Sequence, residues 1–277
     1  IQGLEVVAKA DATTTDEQRY NLYYIKGYSY LLAGEYFRAL PVENGGEVKG
    51  WKENLNLAIS TFTEALKFTS DTDETAFINT LIARAYYRLG NKVNAVKYAS
   101  NVLTLSTDFT KQVTFDGENN VISSIQGYIY GTNFQPLPRL DFLDPKYFQT
   151  KAKEARPICI AKAEEPYLIL AEAALADNDV NGAKGFLKTL LTLVSNRPVA
   201  TDINDQLEGR YNGGYKEYPN SSEYRVAASS EDEFRSGLVL DRQSPHLISV
   251  PYISGTSVTE EMIDAPTTVD GLLEVLY

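Results

Sequence analysis

The chain carries one imidazole, His246, and one thiol, Cys159, in 277 residues. A cysteine nucleophile needs a base within hydrogen-bond reach, so these two form the single Cys–His pair the sequence allows. Cys159 stands in "ARPICIAKA", an apolar setting that suits a buried, inert thiol. One histidine cannot build a multi-histidine zinc site. The sequence holds no Gly-rich phosphate loop and no G-x-S-x-G turn. Glycoside hydrolysis would need two acids facing each other across a cleft, and no spacing among the 37 Asp and Glu residues singles out such a pair. Glu164 and Glu165 precede Pro166 and read as the acidic first turn of a helix. The chain is therefore read as a non-enzyme, with no catalytic residue and no cofactor.

One stretch has the outline of a metal site. Asp177-Asn178-Asp179-Val180-Asn181-Gly182 matches the first half of an EF-hand loop, with oxygen ligands at positions one, three and five and Gly at six. The twelfth position, where a bidentate Glu would close the coordination sphere, is Lys188. The segment is read as a polar turn between helices, its Asp and Asn acting as caps, and no metal is assigned.

The remaining chemical signal is aromatic. There are nineteen tyrosines, many outside helical patterns. "GYIYGTNF" places Tyr128, Tyr130 and Phe134 among glycines and polar residues, and "GRYNGGYKEYPNSSEY" interleaves Tyr211, Tyr215 and Tyr218 with Arg, Asn, Lys and Glu. Trp51 follows a loop at "GEVKGWKEN", and Tyr252 lies in the last irregular stretch. The C–H face of a pyranose stacks on a π system while neighbouring planar polar groups bind its hydroxyls. Trp51, Tyr128, Tyr130, Phe134, Tyr211, Tyr215, Tyr218 and Tyr252 are accordingly the candidate ligand-binding residues. The alternative for each is that the ring pins a loop by packing. Tyr23, Tyr24, Tyr86, Tyr87 and Tyr98 sit in helical patterns and read as core or interhelix contacts.

Helical hairpins are what would position these loops. Ala85 and Ala95 stand ten apart around Gly90, Ala173 and Ala183 ten apart around Asp177–Asp179, and Ser29 and Ala39 ten apart around Gly34. Small residues there let two antiparallel helices approach, and three such units suggest a repeat array. Capping signals at Thr14-x-x-Glu17 and Asp71-x-x-Glu74 open helices, and Gly90 closes one. The periodicity predicts helices near 15–39, 52–69, 72–90, 92–106, 162–177 and 180–195. The expected fold is mostly α: tetratricopeptide-like helical hairpins with long irregular loop insertions. The expected organisation is a single domain over 1–277. Its helical scaffold covers about 15–195 and is interrupted by an irregular insertion at 107–161. A loop-rich lobe follows at 196–266, and a further helix starts at 267–277.

A net charge of −11 argues against nucleic acid and anionic membrane surfaces, since phosphate contacts need clustered Lys and Arg. No apolar run is long enough to span a bilayer. The chain begins at Ile1 and breaks off in what reads as a helix, as a mature, trimmed or incompletely represented sequence would.

"KGYSYLLAGEYFRALP", "LIARAYYRLGNKVNAVKYASNVL", "FLDPKYF" and "PYLILAEAALADNDVNGAKGFLKTLL", in that order and ahead of "TTVDGLLEVLY", resemble the SusD/RagB group of Bacteroidetes surface glycan-binding lipoproteins. The resemblance covers most of the helical half of the chain. It implies a non-catalytic binder of a glycan or other nutrient, held outside the outer membrane by a lipid on an N-terminal Cys that this sequence does not contain. It also implies a partner, a TonB-dependent SusC-like transporter. The competing expectation is a tetratricopeptide-type scaffold that holds a protein partner in a helical groove. A glycan binder would expose its aromatics on loops, whereas a peptide scaffold would line a concave helical face with them.

Overall fold

The computed structural model describes residues 2–42, 45–116, 119, 121, 157–204 and 247–277. The elements in order are α1 (Gln2–Ala10), α2 (Asp16–Tyr36), β1 (Ala39–Pro41), β2 (Val48–Gly50), α3 (Trp51–Ala65, extended by a 3-10 turn at Leu66–Phe68), α4 (Thr72–Arg88) and α5 (Lys92–Leu105). They continue with β3 (Thr110–Val113), β4 (Ile158–Lys162), α6 (Glu164–Ala176), α7 (Val180–Ser195), β5 (Val199–Asn204), β6 (Leu247–Pro251), α8 (Glu260–Asp264) and α9 (Val269–Leu276). The protein is mostly helical, as expected. The chain divides into two units: one is Ile1–Lys111, Ile160–Ser195 and Thr256–Tyr277, the other Gln112–Cys159 and Asn196–Gly255.

The first unit is built from three helical pairs, α2 with α3, α4 with α5 and α6 with α7, and successive pairs pack through α3 on α4 and α5 on α6. Caps set the helix starts. Thr15 and Gln18 form a reciprocal capping box, one residue later than the Thr14–Glu17 signal suggested. Asp71 accepts from the Glu74 amide at 2.8 Å. The Glu74 side chain does not reach back to Asp71: it takes the Tyr20 hydroxyl of α2 and the ammonium of Lys111 instead.

The second and third hairpins turn by one device. Gly90 (φ 71°) and Asn178 (φ 61°) occupy the left-handed position just past α4 and α6. The next amide closes the helix on a carbonyl five residues back, Asn91 to Tyr86 and Asp179 to Ala174, both at 2.9 Å. Asn91 and Asp179 then cap α5 and α7 through the amides of Asn94 and Gly182.

The small residues do their packing in a different pairing from the one the ten-residue spacing suggested. Ala95 shares its apolar cluster with Ala83, Ala99, Ile169 and Leu170, whereas Ala85 belongs to the main core with Phe62, Phe77, Leu81 and Val102. Ala183 clusters with Ala171, Leu175 and Leu187, and Ala173 is half-buried outside that group. The residues sharing a cluster across each turn, Ala83 with Ala95 and Ala171 with Ala183, stand at matching offsets in the two hairpins.

The first hairpin departs further from expectation. Gly34 does not mark a turn: α2 runs through it to Tyr36, and Ala39 lies in a strand. Ser29 is exposed and bonds back to the Ile25 carbonyl. The close approach is made by Gly27 against Phe62 and Gly34 against Leu55 of α3. The return is made by an antiparallel ribbon, Ala39↔Gly50, Leu40↔Lys49 and Pro41↔Val48.

In the second unit β5 and β6 pair antiparallel, Val199↔Pro251 and Ala200↔Val250, with a register shift before Ile203↔Ile248. This ribbon, like α1 and α8, had no counterpart in the periodicity reading.

Candidate functional site

Trp51 is the first residue of α3, and its position is determined on three sides. Its amide donates to the Arg38 carbonyl at 3.0 Å across the β1–β2 ribbon. Asn54, fully buried one turn later, donates its amide to the carbonyls of Lys49 (3.1 Å) and Gly50 (3.2 Å), which locks the strand-to-helix junction. The Trp51 ring packs partly on the main core, and the ammonium of Lys52 lies 5.3 Å from its centroid.

Beside it α2 ends and the chain turns into β1. The same corner displays Tyr36, 76% exposed, and Phe37, 53% exposed. With Gly34, Glu35, Arg38 and Arg88 these three rings line a cavity of about 380 Å³. Neighbouring rings left in water at one spot are unusual on a protein surface and favour binding.

The cavity is electrostatically mixed. Glu35 is half-buried, and burial raises its carboxyl above the ordinary 4.5 although the Arg84 and Arg88 guanidinia act to lower it. Arg84 is committed elsewhere: its Nε and an Nη each lie 2.5 Å from the carboxylate of Glu165, and Nη also reaches the Ile160 carbonyl at 3.2 Å. This bidentate pair joins α4 to the first turn of α6. Burial alone would lower the Arg84 pKa, but the Glu165 carboxylate outweighs it and the group is held above its usual range. Glu165 thus does more than favour its helix end.

A second cleft, about 340 Å³, lies where α4 and α5 meet α6. Its floor is apolar, from Ala95, Val96, Ile169 and Ala173, and Arg88 lines this cleft too. On its rim Glu172 accepts the hydroxyls of Tyr87 (2.7 Å) and Tyr277 (2.5 Å), and the two hydroxyls stand 3.1 Å apart. Tyr87 is therefore an interhelix contact with its ring edge in water. Tyr86 and Tyr98 stack 5.6 Å apart, Tyr23 stacks on Phe68, and Tyr24 meets Phe77 edge-on, so these helix tyrosines pack as read.

Of the residues singled out in the sequence, Trp51 lines the first cavity. Tyr252 is a half-buried residue of the second unit, its amide on the Pro198 carbonyl at 3.2 Å. Tyr128, Tyr130, Phe134, Tyr211, Tyr215, Tyr218 and His246 lie outside the described residues. Cys159, expected to be buried, is half-exposed in β4. In the calcium-like stretch Asp177 pairs with Lys92 and Asp179 caps α7. Among the described residues no group of three His, Cys, Asp or Glu is placed to share an ion, and no helix is long and apolar enough to cross a membrane. Sequence reasoning missed Glu35, Tyr36, Phe37, Arg38 and Arg88. The available signal was "GEYFRALP", two large rings between a helix end and a proline.

No family model matches the chain, and no curated protein matches it. A solved structure that it resembles is a SusD-like carbohydrate binding protein from Bacteroides vulgatus ATCC 8482, at a TM-score of 0.47 and 13% sequence identity. The match covers 73% of this chain and 60% of that one, so the chain spans less than two thirds of that neighbour's length. Likeness at that level assigns neither fold nor ligand.

Proposed function

We propose that the protein is a non-catalytic binder of oligosaccharide or polysaccharide, and that Trp51, Tyr36 and Phe37 supply its stacking surface. The observation that carries this is the cavity at the α2–β1 corner. It combines three rings, two of them largely in water, with planar guanidinia and a carboxyl that suit sugar hydroxyls. The resemblance of "KGYSYLLAGEYFRALP" and "PYLILAEAALADNDVNGAKGFLKTLL" to the SusD/RagB group supports a finer reading. In that reading a lipid anchor holds the protein on the outer face of an outer membrane, and the captured glycan passes to a TonB-dependent SusC-like transporter. The tetratricopeptide-type scaffold is the second reading, favoured by the apolar floor of the cleft between the second and third hairpins. The three rings at the helix-to-ribbon corner support the first reading, whereas that groove is lined by a single ring, Tyr87.

Calorimetric titration with a panel of neutral and acidic oligosaccharides tests the proposal. Ring stacking contributes roughly 1–3 kcal/mol by analogy with base–aromatic stacking, so Tyr36→Ala should weaken binding by roughly 5- to 150-fold. Its melting temperature should hold, because the ring is mostly in water. If no member of the panel binds while a helical peptide does, the scaffold reading replaces this one.

A further inference from the structure

The Trp51 cavity is cationic in a protein that is not. The chain carries a net charge of −11, and among the described residues its lysines and arginines are engaged. Lys9, Lys26, Lys49, Lys67, Arg84, Lys92, Lys111 and Lys188 pair with carboxylates. Arg19 and Lys184 hold carbonyls, and Lys52 and Lys97 lie over rings. Lys162 and Arg197 have partners of their own. Arg38 and Arg88 remain. Both are exposed, neither has a carboxylate within ion-pair distance or a side-chain hydrogen bond among the described residues, and both line the same cavity with Trp51, Tyr36 and Phe37. They come from elements fifty residues apart in sequence, one just past α2 and one at the end of α4, so local helix chemistry does not account for their meeting.

We propose that this cavity selects a carboxylated sugar, a uronic-acid unit of an acidic glycan, with Arg38 and Arg88 on its carboxylate and the aromatic corner on its ring. The inference rests on the glycan-binding reading and narrows it. Guanidinium is the side chain that matches a carboxylate through two parallel N–H donors, and it keeps its charge at every relevant pH. Glu35 is the one acid among the lining residues. Two guanidinia against one carboxyl leave a single positive charge for the ligand to neutralise. One carboxylate balances it, whereas a phosphate dianion or a polysulfate would leave negative charge uncompensated beside Glu35.

The test compares trigalacturonate with the same trisaccharide after its carboxyls are reduced to alcohols, by calorimetry at low and raised salt. The wild-type protein should bind the acid at least about tenfold more tightly, as a charge-assisted contact implies, and salt should erode that margin. Arg38→Gln and Arg88→Gln should each weaken binding of the acid more than binding of the reduced sugar, and so shrink the margin. Glu35→Gln should widen it, an effect that a merely structural role for Glu35 would not produce. Equal binding of the two trisaccharides, or arginine variants that weaken both alike, would overturn the acidic-sugar inference and leave glycan binding intact. So would binding of neither trisaccharide alongside binding of a neutral glycan from the panel. Failure of every glycan in the panel would overturn the functional reading itself.

Discussion

Replacing Gly34 by alanine tests the packing that shapes the candidate site. Gly34 lies in the last turns of α2 and faces α3. A Cβ there would sit 2.6 Å from Leu55 Cγ and 2.9 Å from the Trp51 carbonyl oxygen. Leu55 is fully buried and cannot swing aside freely, and the carbonyl belongs to the first residue of a helix. The helices must therefore part by several tenths of an ångström, an overpacking that costs roughly 1–3 kcal/mol. Alanine recovers roughly 0.5–1 kcal/mol of helix preference over glycine, which leaves a net destabilisation of up to about 2.5 kcal/mol. Gly185 in α7 is the control, because a Cβ there meets nothing within 4 Å. Gly185→Ala should stabilise by roughly 0.5–1 kcal/mol. At about 2–4 °C per kcal/mol for a chain of this scale, the two variants should move the melting temperature in opposite directions. Gly34→Ala should also change ligand affinity, since Gly34 and Trp51 line one cavity. A Gly34→Ala protein as stable as Gly185→Ala would refute the close approach of α2 to α3.

Two further outcomes follow from local geometry. Gly90→Ala should destabilise by roughly 1–2 kcal/mol, because φ there is 71° and a Cβ strains against the left-handed backbone, whereas Asn178→Gly should be nearly neutral or stabilising; urea midpoints measure both. Glu35 has a raised pKa in the folded state, so its ionised form is penalised there, and the penalty is full above that raised value and gone below the ordinary 4.5. Glu35→Gln should therefore raise the melting temperature at neutral pH and lose that advantage as pH falls through the raised value to 4.5; a gain that persists in acid would argue against burial as its cause.

The helices were legible because their signals are local. Asp71 before Thr72, Gly90 after Arg88 and Pro166 in the first turn of α6 act within a few residues, and each sits where capping chemistry places it. Gly34 was misread for the same reason. Locally a glycine after "YLLA" looks like a stop, and only the presence of α3 against it makes it a contact instead. Trp51 was recognisable as a large ring following a loop, but its companions were not. Arg88 reaches the cavity from the far end of α4, and Tyr36 and Phe37 are exposed because β1 turns the chain away at that point. Such meetings depend on how the pairs stack, which no window of sequence contains.

The turn shared by the second and third hairpins has a consequence for how such a chain can change over generations. Its shape is defined by one left-handed residue, two closing amides and one capping side chain. Gly-Asn serves in one copy and Asn-Asp in the other, with the same bonds formed. Two positions must supply a left-handed residue and a cap, while the closing bonds use backbone atoms that every residue carries, so more than one pair of residues can form the same turn. A fold whose corners tolerate this much drift can keep its architecture long after its letters have ceased to look alike. The exchange can be tried directly, by grafting "GNK" in place of "NDV" and asking whether the hairpin still closes.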